Sequence, residues 1–492
     1  MRVVWRDALI VAGLCAASRA LYAFLGLHFD ATTFPHYMQF IDRELLTDRL
    51  LESIWYYHAN PPFLNLFVGI GLKLFGAGAD TFFSVAFHAL GFVMALAVYY
   101  LTLRLSGSRL AAIVTTALLV FSPSFVLYEN WLMYSFPAAA LLVISTALLH
   151  RYVSTGATKW AVAFFSVLAV LLLTRSLFHL AWLVMVAVLL TIALWPRRRQ
   201  VLLSAALPIL VVALWYGKNY YLFGTFSSST WFGLGFSNIS TLIVTREELE
   251  PLVKQGELSR FALVSRYAQM SRLFDSQTPP ATGIPVLDQV RKASGDYNFN
   301  NQQIVAINRY YTADGLKVVR HFPASYVIGL IISNRLFFSP SSMNAYFDPA
   351  NRAAARPMEA IFNPLLYAVG PQPKLVEQPH YGFSGRWYLE VNTSWPLILT
   401  WCTLLGYGYV QARRAFLTRR AEDAPRAIVL GFIIFSMLYI YAVGTAFELA
   451  ENYRYRWIVE PMTFVLEATA IIHAIRVLRA KFSAARLASS AT

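Results

Sequence analysis

The sequence predicts an all-α protein that crosses a membrane about ten times. Of its 492 residues, 57% are hydrophobic and 14% are charged, whereas the charged share of a soluble domain is roughly 25%. A helix needs about 20 mostly apolar residues to span the hydrocarbon core. Segments suited to spans cover residues 5–27, 80–103, 110–128, 134–150, 158–174, 178–195, 200–217, 394–412, 427–446 and 457–475.

The basic residues predict the orientation of these spans. With a cytoplasmic N-terminus, every connection on the cytoplasmic side carries Arg or Lys, as in RRRQ at 197–200 and RRAFLTRR at 413–420. This is the positive-inside bias, so the net charge of +15 indicates topology and excludes a nucleic-acid partner. We expect a multi-pass protein of a bacterial inner membrane. Possible N-glycosylation triplets at Asn238 and Asn392 keep the endoplasmic reticulum membrane open as the alternative.

The spans divide the chain into three parts. Residues 1–224 form a seven-span module with a first outer loop at 28–79, and residues 394–492 form three C-terminal spans. Residues 225–393 are polar and turn-rich, which predicts a mainly helical exoplasmic domain. Within this domain the apolar stretch 324–338 is short and contains Asn334 and Arg335, so we expect an interfacial or re-entrant helix there.

The first outer loop is the stretch most suggestive of function. It begins with Asp30 and reaches His58, Asn60 and a Pro pair, which places polar and ionisable groups at a membrane surface. Between them, apolar residues recur at spacings of three and four and predict an interfacial helix at 41–55. The segment 61–76 starts with the Pro pair and is too short to span, so we expect a second interfacial helix.

Further candidate site residues lie at the same membrane face. They are Arg19 in the first span, Glu129 and Asn130 between the third and fourth, Arg175 and His179 between the fifth and sixth, Lys218 at the end of the seventh, and Glu448, Glu451, Arg454 and Arg456 before the last. The alternatives are snorkelling for Arg19, a turn role for Glu129 and Asn130, and helix anchoring for Arg175. Ion pairing among themselves is the alternative for the last four.

The motifs of several enzyme classes are missing from the sequence. It has no Walker loop, no GxGxxG after a strand, no HExxH and no CxxC pair. An outward-facing carboxylate beside several cations suits transfer of a group from a lipid phosphate. The carboxylate can take a hydroxyl proton while Arg or Lys stabilises the charge on the leaving phosphate.

The order of these features resembles the GT-C membrane glycosyltransferases. It comprises an Arg in the first span, an Asp after it, an amphipathic helix, a PP-initiated helix ending in LFG, KNYYLFGTF after the seventh span and ENYRYRWIVEP before the last. The likeness is greatest to the bacterial branch related to protein O-mannosyltransferases and lipid A aminoarabinose transferases. It covers the first seven spans best.

The resemblance implies a polyprenyl-phosphate sugar donor and a catalytic acid in the first outer loop. That role falls to Asp30 first and to Asp42 second. This sequence lacks an acidic neighbour at Asp30 and has Asn60 before Pro61, which leaves open which carboxylate is the base. The alternative for Asp42 is that its negative charge interacts favourably with the dipole at the N-terminus of the interfacial helix.

The sequence thus predicts a glycosyltransferase that acts on the exoplasmic side. Arg175, Lys218, Arg454 and Arg456 are expected to bind the donor phosphate, and the acceptor is a lipid, a glycan or a protein. No cofactor is expected, and no ligand cluster requires a metal. The alternatives are a lipid or glycolipid transporter or flippase, and a structural subunit that docks through 225–393. Against a transporter, the charges gather at one face and no internal repeat is evident.

Overall fold

The chain is an all-α polytopic membrane protein. The computed structural model describes residues 5–32, 34–264, 280–369, 393–418 and 424–489, and within these ranges it has no β-strand. The α-helices are α1 (Trp5–Phe24), α2 (Arg43–Asp48), α3 (Leu50–Trp55), α4 (Phe63–Phe75), α5 (Ala79–Ser106), α6 (Arg109–Phe121), α7 (Pro123–Glu129), α8 (Ser135–Thr155), α9 (Thr158–Leu172), α10 (Leu180–Ala193), α11 (Arg198–Phe223), α12 (Phe232–Ser240), α13 (Arg246–Lys254), α14 (Pro285–Asp288), α15 (Gln302–His321), α16 (Pro323–Phe337), α17 (Pro349–Tyr367), α18 (Trp395–Thr418), α19 (Ala424–Ala446) and α20 (Asn452–Ser489).

The structure does not confirm the number of spans that the sequence predicted. Within the described ranges, six helical segments are long and apolar enough to cross a membrane, or up to eight if each of two bent helix pairs is one span. A helix overlaps each predicted span. However, α9 and α10 have only 15 and 14 residues, so each covers about 22 Å of a core that is roughly 30 Å thick. The expected count of about ten is therefore not confirmed.

The last helix lies at the centre of the helical bundle. Its first half packs against α5, α6, α8 and α19. Residues Ile458, Val459, Met462 and Val465 are completely buried there. A helix that is surrounded on all sides is mostly apolar around its whole circumference. This part of α20 fits that pattern apart from Arg454, Arg456, Glu460 and Glu467. The start of α20 is thereby fixed at one end of the bundle.

A glycine turn directs the chain across that end of the bundle. α11 ends at Gly224, whose φ of 65° is in the left-handed region that favours glycine. The next residues return to the first outer loop, where the backbone N–H of Thr230 donates to the carbonyl of His58 at 3.0 Å. Residues 225–231 therefore run beside the part of that loop that contains His58.

The first outer loop contains two short helices where the sequence predicted one. α2 and α3 are separated at Arg49, which has non-helical backbone angles of −127° and 42°. The leucines of this stretch mostly face the protein core and not lipid, and only Leu51 and Trp55 are exposed among its large apolar residues. The second expected helix is α4, and it is separate from α5. It ends at Gly76, whose backbone angles are 51° and −116°, and the Phe67 ring lies 5.6 Å from Phe83 and 6.4 Å from Phe87, so α4 folds back against α5. Its placement at the membrane interface stays a prediction.

The segment after α11 packs onto the first outer loop. Lys292 Nζ donates to the carbonyls of Pro35 and Tyr37, at 3.2 and 2.6 Å. Further on, α16 turns by 107° from α15, as in a broken span or a re-entrant pair, so its membrane placement stays a prediction. Asn392 lies outside the described residues.

Candidate active site

A cavity of about 430 Å³ opens at one end of the bundle. Its walls come from the first outer loop, the connections after α7 and α9, the segment after α11 with α12, and the connection between α19 and α20. Its lining includes Tyr37, Gln39, Asn60, Trp131, Tyr134, Arg175, His179, Trp231, Gly235, Asn238, Tyr439, Phe447, Glu448, Glu451, Arg454 and Tyr455. All these connections lie at the same end of their helices, opposite the basic loops.

Arg175 presents a cation to this cavity. It lies in the short connection between α9 and α10 and is 5% exposed. Its Cζ is 4.0 Å from the ring centroid of Tyr134 and 5.0 Å from that of Tyr455, so two aromatic rings fix the guanidinium by cation–π contacts. Its buried Nε has no hydrogen-bond partner. A cation so placed retains donors for an anionic ligand.

Arg454 reaches the same tyrosine from the first turn of α20. Its Nη2 donates to the Tyr134 hydroxyl at 3.2 Å and forms an ion pair with Glu451. It is 2% exposed, and its Nε also lacks a partner. Tyr134 therefore brings two buried guanidinium groups to one wall of the cavity.

Glu448 is a carboxylate in the same cavity. Its Oε1 accepts a hydrogen bond from the Leu449 N–H at 3.2 Å. Its Oε2 lies against α12, where a Cβ on Gly235 would be 2.6 Å away, so only glycine leaves room for this position. Burial, together with the negative charge of Glu451, raises the pKa of Glu448 to about 7 against the effects of Arg175 and Arg454.

Two of the four predicted phosphate ligands lie elsewhere. Lys218 Nζ donates to the carbonyls of Trp55 and Tyr57, at 2.9 and 3.1 Å, and so caps the end of α3. Arg456 donates to the carbonyls of Phe337 and Ser339 and pairs with Glu460 at 2.9 Å. Neither residue lines the cavity. Each side chain is instead directed to two backbone carbonyls at a chain turn.

Asp30 lies next to the cavity and is not part of its lining. Its backbone pairs with that of Trp131, which does line the cavity. Oδ1 accepts hydrogen bonds from the Thr32 N–H at 2.9 Å and the Thr32 hydroxyl at 2.6 Å. Oδ2 is buried without a hydrogen-bond partner. One oxygen of Asp30 thus fixes a turn and the other has capacity to accept a proton.

Asp42 has both carboxylate oxygens occupied. Oδ1 accepts from the Glu44 N–H at 3.1 Å and caps α2, while Oδ2 accepts from the Ala293 N–H at 2.5 Å. Asp42 therefore caps the N-terminus of α2, which agrees with the alternative given for it above.

Arg19 and Glu129 pair with each other in the bundle. Arg19 Nη2 lies 2.5 Å from Glu129 Oε1, and Glu129 is completely buried. The carboxylate fits because α5 has Gly91 here, where a Cβ would lie 1.9 Å from Oε1. Asn130 follows as the end of α7, with its Nδ2 bonded to the Val126 carbonyl at 2.9 Å. These contacts join α1, α5 and α7 outside the cavity lining.

The two candidate histidines differ in position. His58 has its Nδ1 2.9 Å from the Thr230 hydroxyl and its Nε2 2.9 Å from the Asn300 carbonyl, and burial lowers its pKa to about 3. It is a neutral connector between the outer loop and later segments. His179 lines the cavity, where it caps α10, and burial lowers its pKa. Asn60 also lines the cavity.

Tyr134 and Gly235 organise the charged groups, and neither was predicted from the sequence. Tyr134 lies only four residues after the singled-out Asn130, but any tyrosine there suits a membrane interface, so the sequence alone gives it no distinct signal. Among the described residues, no group of three His, Cys, Asp or Glu could hold a metal ion.

Similarity to known proteins is limited to solved structures. No protein-family profile matches the chain, and no curated protein matches it in sequence. ArnT from Cupriavidus metallidurans bound to undecaprenyl phosphate is similar over 92% of this chain and 78% of its own, with 16% identity and a TM-score of 0.34. The apo oligosaccharyltransferase of Archaeoglobus fulgidus is similar over 96% of this chain and 52% of its own, with 11% identity and a TM-score of 0.35. Both are GT-C membrane glycosyltransferases, the class that the sequence resembles.

Proposed function

We propose that the protein is a glycosyltransferase that moves a sugar from a polyprenyl-phosphate donor to an acceptor on the exoplasmic side of a bacterial inner membrane. One observation carries the proposal. Arg175 and Arg454 meet at Tyr134 in a cavity at the ends of membrane helices, with guanidinium donors not used by the protein. Buried, planar cations of this kind suit a phosphate group, and the depth suits one carried by a lipid.

The reaction needs few groups from the protein. An acceptor hydroxyl oxygen forms a bond to the anomeric carbon of the sugar, and the bond from that carbon to the phosphate oxygen breaks. The electron pair of the broken bond stays on the phosphate, whose charge Arg175 and Arg454 stabilise. The hydroxyl proton passes to a carboxylate base.

Asp30 remains the proposed base. Its free Oδ2 and its backbone pairing with a cavity-wall residue support this role, whereas both oxygens of Asp42 are already bonded. Because Trp131 lines the cavity and pairs with Asp30, which does not, we expect the Trp131 side chain to shift when donor and acceptor are both bound. The acceptor is a lipid, a glycan or a protein, and membrane lipids surround the helices.

The orientation follows from the basic loops. The connections that line the cavity are at the helix ends remote from Arg104, Arg109 and Arg197 to Arg199. Under the positive-inside rule, this supports a cavity that faces the periplasm.

A transfer assay tests the function. Membranes that contain the protein are incubated with a radiolabelled polyprenyl-phosphate sugar, and label is measured in lipid, glycan and protein fractions. We expect transfer by the wild type and by Arg246→Ala, an exposed control, and a loss of at least roughly tenfold in Arg175→Ala. Donor binding with no transfer to any fraction would favour the carrier alternative.

A further inference from the structure

The cavity has two positive and two negative side chains, which poses an electrostatic problem for a phosphate ligand. Arg454 pairs with Glu451, so those two charges offset each other. Within the described part of the chain, no Arg or Lys forms an ion pair with Glu448, which shares the cavity with Arg175. An ionised Glu448 would repel a phosphate bound at the two guanidinium groups.

The position of Glu448 offers a way to avoid that repulsion. One oxygen is taken by the Leu449 N–H, and the other lies against the glycine face of α12 at Gly235. A proton on the second oxygen would turn a repelling anion into a hydrogen-bond donor inside the cavity.

We propose that Glu448 is protonated when the donor is bound and donates a hydrogen bond to the phosphate that Arg175 and Arg454 hold. This inference rests on the proposed function and extends it by a further residue that touches the donor. Glu448 keeps its proton through the transfer, because the acceptor's proton goes to Asp30. Where Glu448 is ionised in the free protein, donor binding is therefore linked to uptake of one proton.

The neighbouring groups support assignment of this proton to Glu448. Glu451 lies on the same connection, Arg454 and Tyr455 come from α20, Arg175 comes from the connection after α9, and α12 contributes Gly235 and Asn238. The pKa of Glu448 is about 7, so the carboxyl group is partly protonated at neutral pH. The negative charge of a bound phosphate would raise this pKa further and complete the protonation. His179 also lines the cavity, but burial lowers its pKa, so it titrates at a lower pH.

The affinity for the donor should decrease as the pH rises. Below the pKa of Glu448 the proton is already present and binding is strongest. Above it, binding must take up a proton, so the affinity falls as the pH rises, by up to about tenfold per unit for one proton.

The test uses a short-chain polyprenyl methyl phosphodiester, titrated into the purified full-length protein in detergent from about pH 5.5 to about pH 8.5. A diester is chosen because a phosphate monoester changes its own charge near about pH 6. We compare the wild type, Glu448→Gln and the exposed control Glu247→Gln. Gln keeps an N–H donor but cannot titrate, and a thermal melt of each protein checks folding.

We expect the affinity of the wild type and Glu247→Gln to fall above pH 7, while Glu448→Gln binds equally well across the range. Two results would overturn the inference and leave the proposed function standing. One is a wild-type affinity that does not change with pH, and the other is an affinity of Glu448→Gln that falls with pH as steeply as that of the wild type. No binding by the wild type at any pH would overturn both. If Glu448→Gln is misfolded, the change of wild-type affinity with pH decides the inference.

Discussion

The Cζ of Arg175 lies 4.0 Å from the ring centroid of Tyr134, and the hydroxyl of that same ring accepts a hydrogen bond from Arg454. One tyrosine therefore orients two cations from connections far apart in the sequence. The ring face attracts the first cation, and the hydroxyl oxygen binds the second.

Two substitutions of Tyr134 separate these contributions. Tyr134→Phe keeps the ring under Arg175 but removes the acceptor for Arg454, so we expect donor binding to weaken about two- to tenfold. Tyr134→Leu also removes the cation–π contact and should bind more weakly still. Titration with a polyprenyl phosphate gives both values, and equal binding by the two variants would contradict a role for the ring face.

Asp30→Asn tests the proposed base. The variant is nearly isosteric but cannot take the acceptor's proton, so turnover should fall by about 10² to 10⁴ with donor binding retained. Asp42→Asn is the matched comparison and should affect stability more than turnover, because Asp42 caps α2. If Asp30→Asn turns over normally and Asp42→Asn is inactive, the assignment is wrong.

Gly235→Ala tests the packing that positions Glu448. The added methyl group would lie 2.6 Å from Oε2, which is the end of a flexible side chain, and 3.3 Å from the backbone carbonyl oxygen of Phe447. We therefore expect Glu448 to move, with a small backbone adjustment at Phe447, while the protein stays folded. We expect wild-type thermal stability with weaker donor binding below pH 7. Gly217→Ala is the control, because its Cβ would meet nothing within 4 Å. A fully wild-type Gly235→Ala would show that the position of Glu448 does not matter.

Arg456 should matter for stability and not for the donor. Arg456→Met leaves Glu460 buried without its cation, which costs roughly 3–5 kcal/mol of unfolding free energy. Thermal unfolding in detergent measures the loss. If the variant is stable but fails to bind donor, Arg456 belongs to the phosphate site after all.

Cysteine labelling tests the topology. In a variant without Cys15 and Cys402, single cysteines at the exposed positions Gln255 and Ala353 should react with an impermeant thiol reagent from the periplasmic side. A cysteine at Arg198, in a basic loop, should not react. Labelling at only one of the first two positions would mean that α16 crosses the membrane.

The sequence indicated where along the chain the charged site residues lie, but it did not indicate which way their side chains point in the folded protein. Charge spacing found Arg175, Arg454 and Glu448 because ionisable groups beside apolar spans are rare. The same rule could not distinguish them from Lys218 and Arg456, because binding to the backbone carbonyls of Trp55 or Phe337 depends on segments distant in the sequence. It also missed Gly235, which is important only because Glu448 packs against it in the folded protein.

Binding of a lipid-linked donor phosphate by Arg175 and Arg454 underlies the proposed reaction. It is tested most directly by the dissociation constants of a short-chain polyprenyl phosphate and of the matching uncharged polyprenol, measured for the wild type and for Arg175→Met. We predict that the wild type prefers the phosphate by at least about tenfold, and that Arg175→Met loses most of this preference while binding the polyprenol as before. An unchanged preference for the phosphate in Arg175→Met would contradict the claim.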